Sequence, residues 1–301
     1  MALITVAGSK ASPGATTLAM GLAANWPATA GRRLVVVEAD PAGGVLAARY
    51  EALRGERTLA DATLMLRRGF RVEDMVGSSR RLWGWLPVVV SPIPPRQAYE
   101  ALARRESAVG PPAAERLAAG LAGCPDVDVL VDIGRVTPQS PALPFIEHAE
   151  VTLLVTRLGF ESVAATLALI DDLAGVVGRG GLVLVGVGTG PYDAATVASE
   201  AGVAGVAELP WDETAAATIR HGVVKQGRLR RSALWRDLGD FAARLATAAG
   251  PAPAGSGTQD GNGHRPGPLP TGGVTPPAPT HLVPSPPPGA GPGWAAPGSA
   301  R

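Results

Sequence analysis

Lys10, Gly14, Thr16 and Thr17 share one short loop, Ser9-Lys10-Ala11-Ser12-Pro13-Gly14-Ala15-Thr16-Thr17. Small residues let a backbone turn its N–H groups onto an anion, and a helix that starts there adds its dipole. The general phosphate-loop pattern is G-x-x-x-x-G-K-S/T. Gly14 fills its second glycine and Thr16 the hydroxyl that would bind Mg²⁺, but Ala15 stands where the lysine belongs. A lysine does occur earlier, at Lys10. Two carboxylates complete the set. Asp40 and Asp132 each follow an apolar run, and an acid at the tip of such a strand sits where open α/β sheets bind ligands. It can hold the water shell of Mg²⁺ or place an attacking water. Asp40, ahead of Pro41-Ala42-Gly43-Gly44, could also cap a helix, and many strands end in Asp, but the loop upstream favours the ligand-site reading.

The surrounding pattern supplies elements to position these residues. Ala2–Ala7 is an apolar run that reads as a buried strand, and Leu18, Met20, Leu22 and Ala23 open a helical pattern behind the loop. The spacing predicts further strands over 32–40, 86–90, 127–134, 150–156, 181–188 and 205–209. Helices are predicted over 45–53, 58–68, 96–105, 113–122, 163–173, 193–200 and 213–222. The stretch 72–82 is ambiguous. Ser232 reads as the cap of a last helix whose apolar stripe is Leu234, Leu238, Phe241 and Leu245. Its basic run, Lys225, Arg228, Arg230 and Arg231, fits either a membrane-surface helix or a helix packed on the sheet with solvated charges; Asp237, Gly239 and Asp240 favour packing. Alternating strands and helices over 1–249 define a single α/β domain: a mainly parallel twisted sheet with helices on both faces.

The loop resembles the deviant Walker A motif of the ParA/MinD family of P-loop ATPases, K-G-G-x-G-K-T-T. Lys10 matches its signature lysine. Ala11 and Ser12 replace two glycines, Pro13 fills the free position, Gly14 is retained, Ala15 replaces the second lysine, and Thr16 and Thr17 match. Glu38-Ala39-Asp40-Pro41 resembles the family's D-x-D-P segment, and Asp132-Ile133-Gly134 its Walker B tip. The resemblance implies a P-loop NTPase-like fold binding ATP and Mg²⁺. Gly14, Ala15, Thr16 and Thr17 would contact phosphate by backbone, with Thr16 and Asp132 at the metal and Asp40 at the attacking water. Lys10 would reach the nucleotide of a partner subunit in a homodimer. Pro210, after the strand at 205–209, would meet the adenine through its backbone; its other reading is a stop after an edge strand. Arg135 reads either as a phosphate contact or as half of a surface ion pair, the second being favoured.

Composition excludes several classes. The chain has 301 residues, 46% of them hydrophobic, a net charge of +1 and a single cysteine. That balance gives no global field for nucleic acid. Cys124 has no partner for an internal disulfide and reads as a small buried hydrophobe. No basic region precedes the first apolar run, so it does not read as a secretory signal, and the expectation is a soluble cytoplasmic protein. About half of the residues from Pro251 to Arg301 are Pro or Gly, without a collagen period. The segment 250–301 is therefore expected to be a disordered tail.

Two functions follow as expectations. One is a ParA/MinD-like ATP-binding protein, a nucleotide-dependent dimer in chromosome partitioning or intracellular positioning, with hydrolysis slow or lost. The other is a non-enzymatic scaffold or localisation adaptor that acts on a protein cargo. Net charge indicates neither a DNA nor a membrane surface.

Overall fold

The structure, a computed structural model, describes residues 2–10, 14–28, 32–55, 57–68, 71–105, 107–124, 126–177, 181–221 and 227–248. Lys225 and the expected tail lie outside the described residues. The chain opens with β1 (Leu3–Gly8), α1 (Ala15–Ala24) and β2 (Arg33–Glu38). Then come α2 (Leu46–Arg49), α3 (Leu59–Arg67), α4 (Val72–Ser78), β3 (Arg80–Leu82), β4 (Leu86–Val89), α5 (Pro95–Ala103) and α6 (Ala113–Ala122). The second half holds β5 (Val127–Arg135), α7 (Leu143–Glu147), β6 (Val151–Arg157), α8 (Phe160–Val177), β7 (Leu182–Val187) and α9 (Ala194–Ala201). It ends with β8 (Gly205–Leu209), α10 (Glu213–Arg220), α11 (Gly227–Arg230) and α12 (Ala233–Ala248).

The eight strands form one sheet in the order β3-β4-β2-β5-β1-β6-β7-β8. Every pairing is parallel except β3 with β4. The continuous branched runs of β2 and β5 are explained by burial on both faces. Val35 and Val37 of β2 join Val127, Val129 and Val131 of β5 in one apolar cluster, while Leu34, Val36 and Leu130 point into another. The first cluster is covered by residues of α3, α6, α8 and α9, the second by α1, α10 and α12. The chain builds outward from β1 in both directions: β5 lies on one side and β6 on the other. That reversal of direction puts a crevice at the carboxyl ends of β1 and β5.

Two predicted regions differ. The helix expected over 45–53 is the four-residue α2 followed by a 3-10 turn, Glu51–Leu53. The ambiguous stretch resolves into α4 and β3, and β3 turns back through Trp83 and Gly84, both at positive φ, to pair with β4. The last helix packs inward. Leu234, Leu238, Phe241 and Leu245 are all buried, each such burial worth roughly 1.5–3 kcal/mol. Helix α12 comes so close to α1 that a side chain at Gly21 would meet Leu238 Cδ1 at 2.7 Å. Ser232 Oγ accepts from Trp235 N at 3.2 Å, which is the expected cap. No helix among the described residues is long and apolar enough to cross a membrane.

Candidate functional site

The phosphate-loop residues lie at the crevice. Strand β1 ends at Gly8, and the Ser9 hydroxyl sits 2.8 Å from that of Thr166 on α8, which fixes where the loop leaves the sheet. Gly14 enters α1 with φ 130°, a conformation that L side chains rarely adopt. Its carbonyl accepts from Leu18 N at 2.7 Å, and Ala15, Thr16 and Thr17 form the first turn of α1. Their free N–H groups and the helix dipole make this end attractive to an anion. Lys10 is exposed just beyond β1; Ala11, Ser12 and Pro13 lie outside the described residues.

Strand register brings the acids to the same place. Asp132 pairs with Val6 of β1 on one side and with Glu38 of β2 on the other. Asp132 is 1% exposed. Its Oδ1 accepts from Gly134 N at 3.0 Å, while Oδ2 has no hydrogen-bond partner. Burial pushes its carboxyl above the usual range; the Thr16 hydroxyl, the Gly134 N–H and the nearby Arg49 guanidinium pull the other way. Thr16 and Asp132, 116 positions apart by their numbers, therefore lie near one another. Asp40 accepts from Ala42 N at 2.7 Å and lies against Gly134, whose positive φ and missing side chain make room for it. Burial raises Asp40 to about 6, with Asp132 adding to the rise.

Glu38, at the first acidic position of the D-x-D-P-like segment, serves the fold. Its Oε1 accepts from Val45 N at 2.7 Å and Leu46 N at 3.0 Å, and its Oε2 from Ser91 N at 3.1 Å. It thus caps α2 and ties it to the end of β4. A side chain at Gly44 would meet Glu38 Oε2 at 2.5 Å. Burial raises Glu38 to about 7, against three N–H donors that favour its charged form.

A cavity of about 240 Å³ is lined by Gly8, Gly14–Thr17 and Gly134, together with Arg49, Arg135 and Arg220. Beside it, a smaller apolar cavity is lined by Leu18, Leu209, Pro210, Trp211, Leu234 and Leu238, and it shares Gly14, Thr17 and Arg220 with the first. Pro210 is thus next to the loop. The guanidinium of Arg157 covers the Trp211 ring at 4.0 Å. The ion pair favoured for Arg135 is not found among the described residues; Arg135 lines the cavity beside the loop instead. Sequence reading missed Arg49 and Arg220. The one signal for them is the absent lysine, which leaves a loop in need of a cation. Among the described residues no cluster of three or more His, Cys, Asp or Glu could hold a metal alone. A Mg²⁺ ion at Thr16 and Asp132 would complete its shell with water and ligand phosphate, its usual habit. The unpartnered Oδ2 of Asp132 fits such a shell.

Fold and site together define a P-loop NTPase-type α/β domain. No protein-family model matches the sequence, and no curated protein does. Solved structures do. The chain is similar to a ParA family ATPase from Chlorobium tepidum at 16% identity and a TM-score of 0.63, covering 81% of this chain and 98% of that one. It is similar to the septum site-determining protein MinD of Pyrococcus horikoshii, solved with Mg-ADP, at 18% identity and a TM-score of 0.60, over 82% and 96% of the two chains. A cobyrinic acid a,c-diamide synthase from Mycobacterium smegmatis, solved with ADP and magnesium, matches at 18% identity and 0.54, over 82% and 94%. The fold is that of the ParA/MinD ATPases.

Proposed function

We propose that this chain is a ParA/MinD-like protein that binds Mg-ATP at the loop after β1 and hydrolyses it slowly or not at all. The observation that carries the reading is the meeting of Thr16 and Asp132 at the N-terminus of α1, with one Asp132 oxygen unpartnered. Backbone N–H groups of Gly14, Ala15, Thr16 and Thr17 would face phosphate, Thr16 and Asp132 would hold Mg²⁺, and the apolar cavity at Pro210 would receive the base. Bound Mg²⁺ would neutralise charge on the phosphates. Asp40, raised toward neutrality by burial, is suited to orient or accept a proton from water at the phosphate end. Lys10, exposed and outside the cavity lining, is free to serve a second copy in a nucleotide-dependent homodimer. The role is the positioning of a cargo through protein contacts.

Ala15 favours a second reading, a scaffold without turnover. Loss of a lysine–phosphate hydrogen bond costs on the order of 1.5–3 kcal/mol, roughly ten- to hundredfold in affinity. Calorimetric titration of the protein with Mg-ATP, beside Ala15→Lys and Lys10→Ala, decides between them. Micromolar binding in the wild type, tightened by Ala15→Lys, supports the nucleotide site, and turnover is then assayed. Absence of binding in both the wild type and Ala15→Lys would sink it.

A further inference from the structure

The cavity beside α1 lacks a lysine, yet it is not poor in cations. Arg49 ends α2, Arg135 ends β5 and Arg220 ends α10, and all three line the same 240 Å³ space. None of the three makes an ion pair or a side-chain hydrogen bond with another described residue. Other arginines do find partners: Arg32 pairs with Asp128, Arg96 with Glu100, and Arg157 covers Trp211. Three like charges converging on a helix N-terminus repel one another and the dipole. The arrangement is favourable once a multiply charged anion lies between them.

The backbone holds two of these arginines together. The Tyr50 hydroxyl, on a buried side chain, donates to the carbonyl of Ile219 at 2.6 Å. Residues 50 and 219 are the immediate neighbours of Arg49 and Arg220, so one hydrogen bond clamps both arginine-bearing segments. Burial lifts the Tyr50 hydroxyl to about 12, which keeps it a donor at any ordinary pH. Glu38 and Gly44 anchor the other end of α2. Arg49 also lies near enough to act on Asp132, which places it at the metal side of the cavity.

We propose that Arg49, with Arg220 beside it, supplies the phosphate-gripping cation that position 15 lacks, and that Tyr50 is the residue positioning both. The cavity thus takes a polyphosphate through guanidinium forks rather than through an ammonium. A guanidinium binds phosphate in a planar, two-pronged manner that lysine cannot copy. The inference rests on the reading that the loop holds a Mg-nucleotide, and deepens it by naming the groups that recognise the phosphates.

The test is calorimetric titration of the full chain with Mg-ATP, Mg-tripolyphosphate and adenosine. Arg49→Ala is expected to weaken both phosphate ligands by about ten- to hundredfold and to leave adenosine unaffected. Arg220→Ala acts in the same direction but less. Arg49→Lys recovers only part of the loss, and Ala15→Lys in the Arg49→Ala background recovers most of it. Tyr50→Phe weakens the phosphate ligands and makes a further Arg49→Ala substitution less costly than it is in the wild type. Arg96→Ala, an equal change of net charge at a remote exposed site, leaves binding unchanged. Arg49→Gln and the melting temperature of each variant guard against a folding defect. Wild-type Mg-ATP binding that Arg49→Ala and Arg220→Ala leave intact overturns the proposal and spares the nucleotide reading. Arg49-dependent binding of tripolyphosphate with no preference for ATP does the reverse. Binding of neither phosphate ligand, in the wild type or in Ala15→Lys, removes both.

Discussion

Strand β5 carries two buried aspartates, and they have opposite surroundings. Asp128 and Asp132 are each 1% exposed. At the amino end, Asp128 accepts from Ala2 N at 3.1 Å and Trp26 Nε1 at 3.2 Å, and pairs with Arg32, itself largely buried. At the carboxyl end, Asp132 has one N–H donor, an unpartnered oxygen and two further acids close by. The same residue type on the same strand is finished inside the fold at one end and left incomplete at the other. A buried carboxylate with all its partners holds structure together; one with an open lone pair and neighbours of its own charge is stable only with something added.

Breaking the finished end has the largest effect. Asp128→Ala removes the hydrogen-bonded carboxylate partner of the largely buried Arg32 and should cost about 3–5 kcal/mol, measured as a fall in the urea midpoint. A loss below about 1 kcal/mol would mean that the pair contributes little. The acidic end makes its mark through pH. Glu38 is held at about 7 rather than 4.5, and Asp40 at about 6 rather than 3.8. The folded chain therefore binds more protons than the unfolded one between about pH 4 and pH 7, and its stability falls as pH rises through that window. The Glu38 contribution is about 3 kcal/mol. Urea midpoints at pH 5 and pH 8 should show the decline, and Glu38→Gln should remove most of it; an unchanged slope in that variant would assign the effect elsewhere. The smallest effect on stability is at Asp132→Asn. The amide keeps an oxygen for the Gly134 N–H, offers an N–H toward Thr16 and removes a buried charge. We expect a gain of less than about 1 kcal/mol at pH 8 together with loss of Mg²⁺-dependent nucleotide binding. A large destabilisation would make Asp132 a second Asp128.

The two ends also differ in how far the sequence revealed them. Strand, small-residue loop and helix around Gly14 are local patterns, and Asp40 and Asp132 sit at the ends of branched runs that only a doubly covered parallel strand explains. Those features were legible. Arg49 and Arg220 were not, because nothing local distinguishes an exposed arginine that faces a cavity from one that faces water, and they stand 171 positions apart. Their connection runs through Tyr50 and a main-chain carbonyl, which leaves no mark in side-chain patterning. Glu38 stands in the first acidic position of the D-x-D-P-like segment before Ala39-Asp40-Pro41, and its type there does not show what it bonds. Its side chain reaches the amides of Val45 and Leu46 and serves α2. The short α7 and the hairpin of β3 were missed for a simpler reason: few residues give too little period to read.

That hairpin changes what the sheet can join. An open border of a parallel sheet offers its unpaired backbone groups to any extended segment that drifts past. Here the border beyond β4 is only three residues long, runs against its neighbour and presents Arg80 and Arg81 to solvent. An incoming strand would find few groups to bond and two positive charges in its way. The molecule is thereby guarded against growing sideways into a fibre at this border, at the cost of a single three-residue strand.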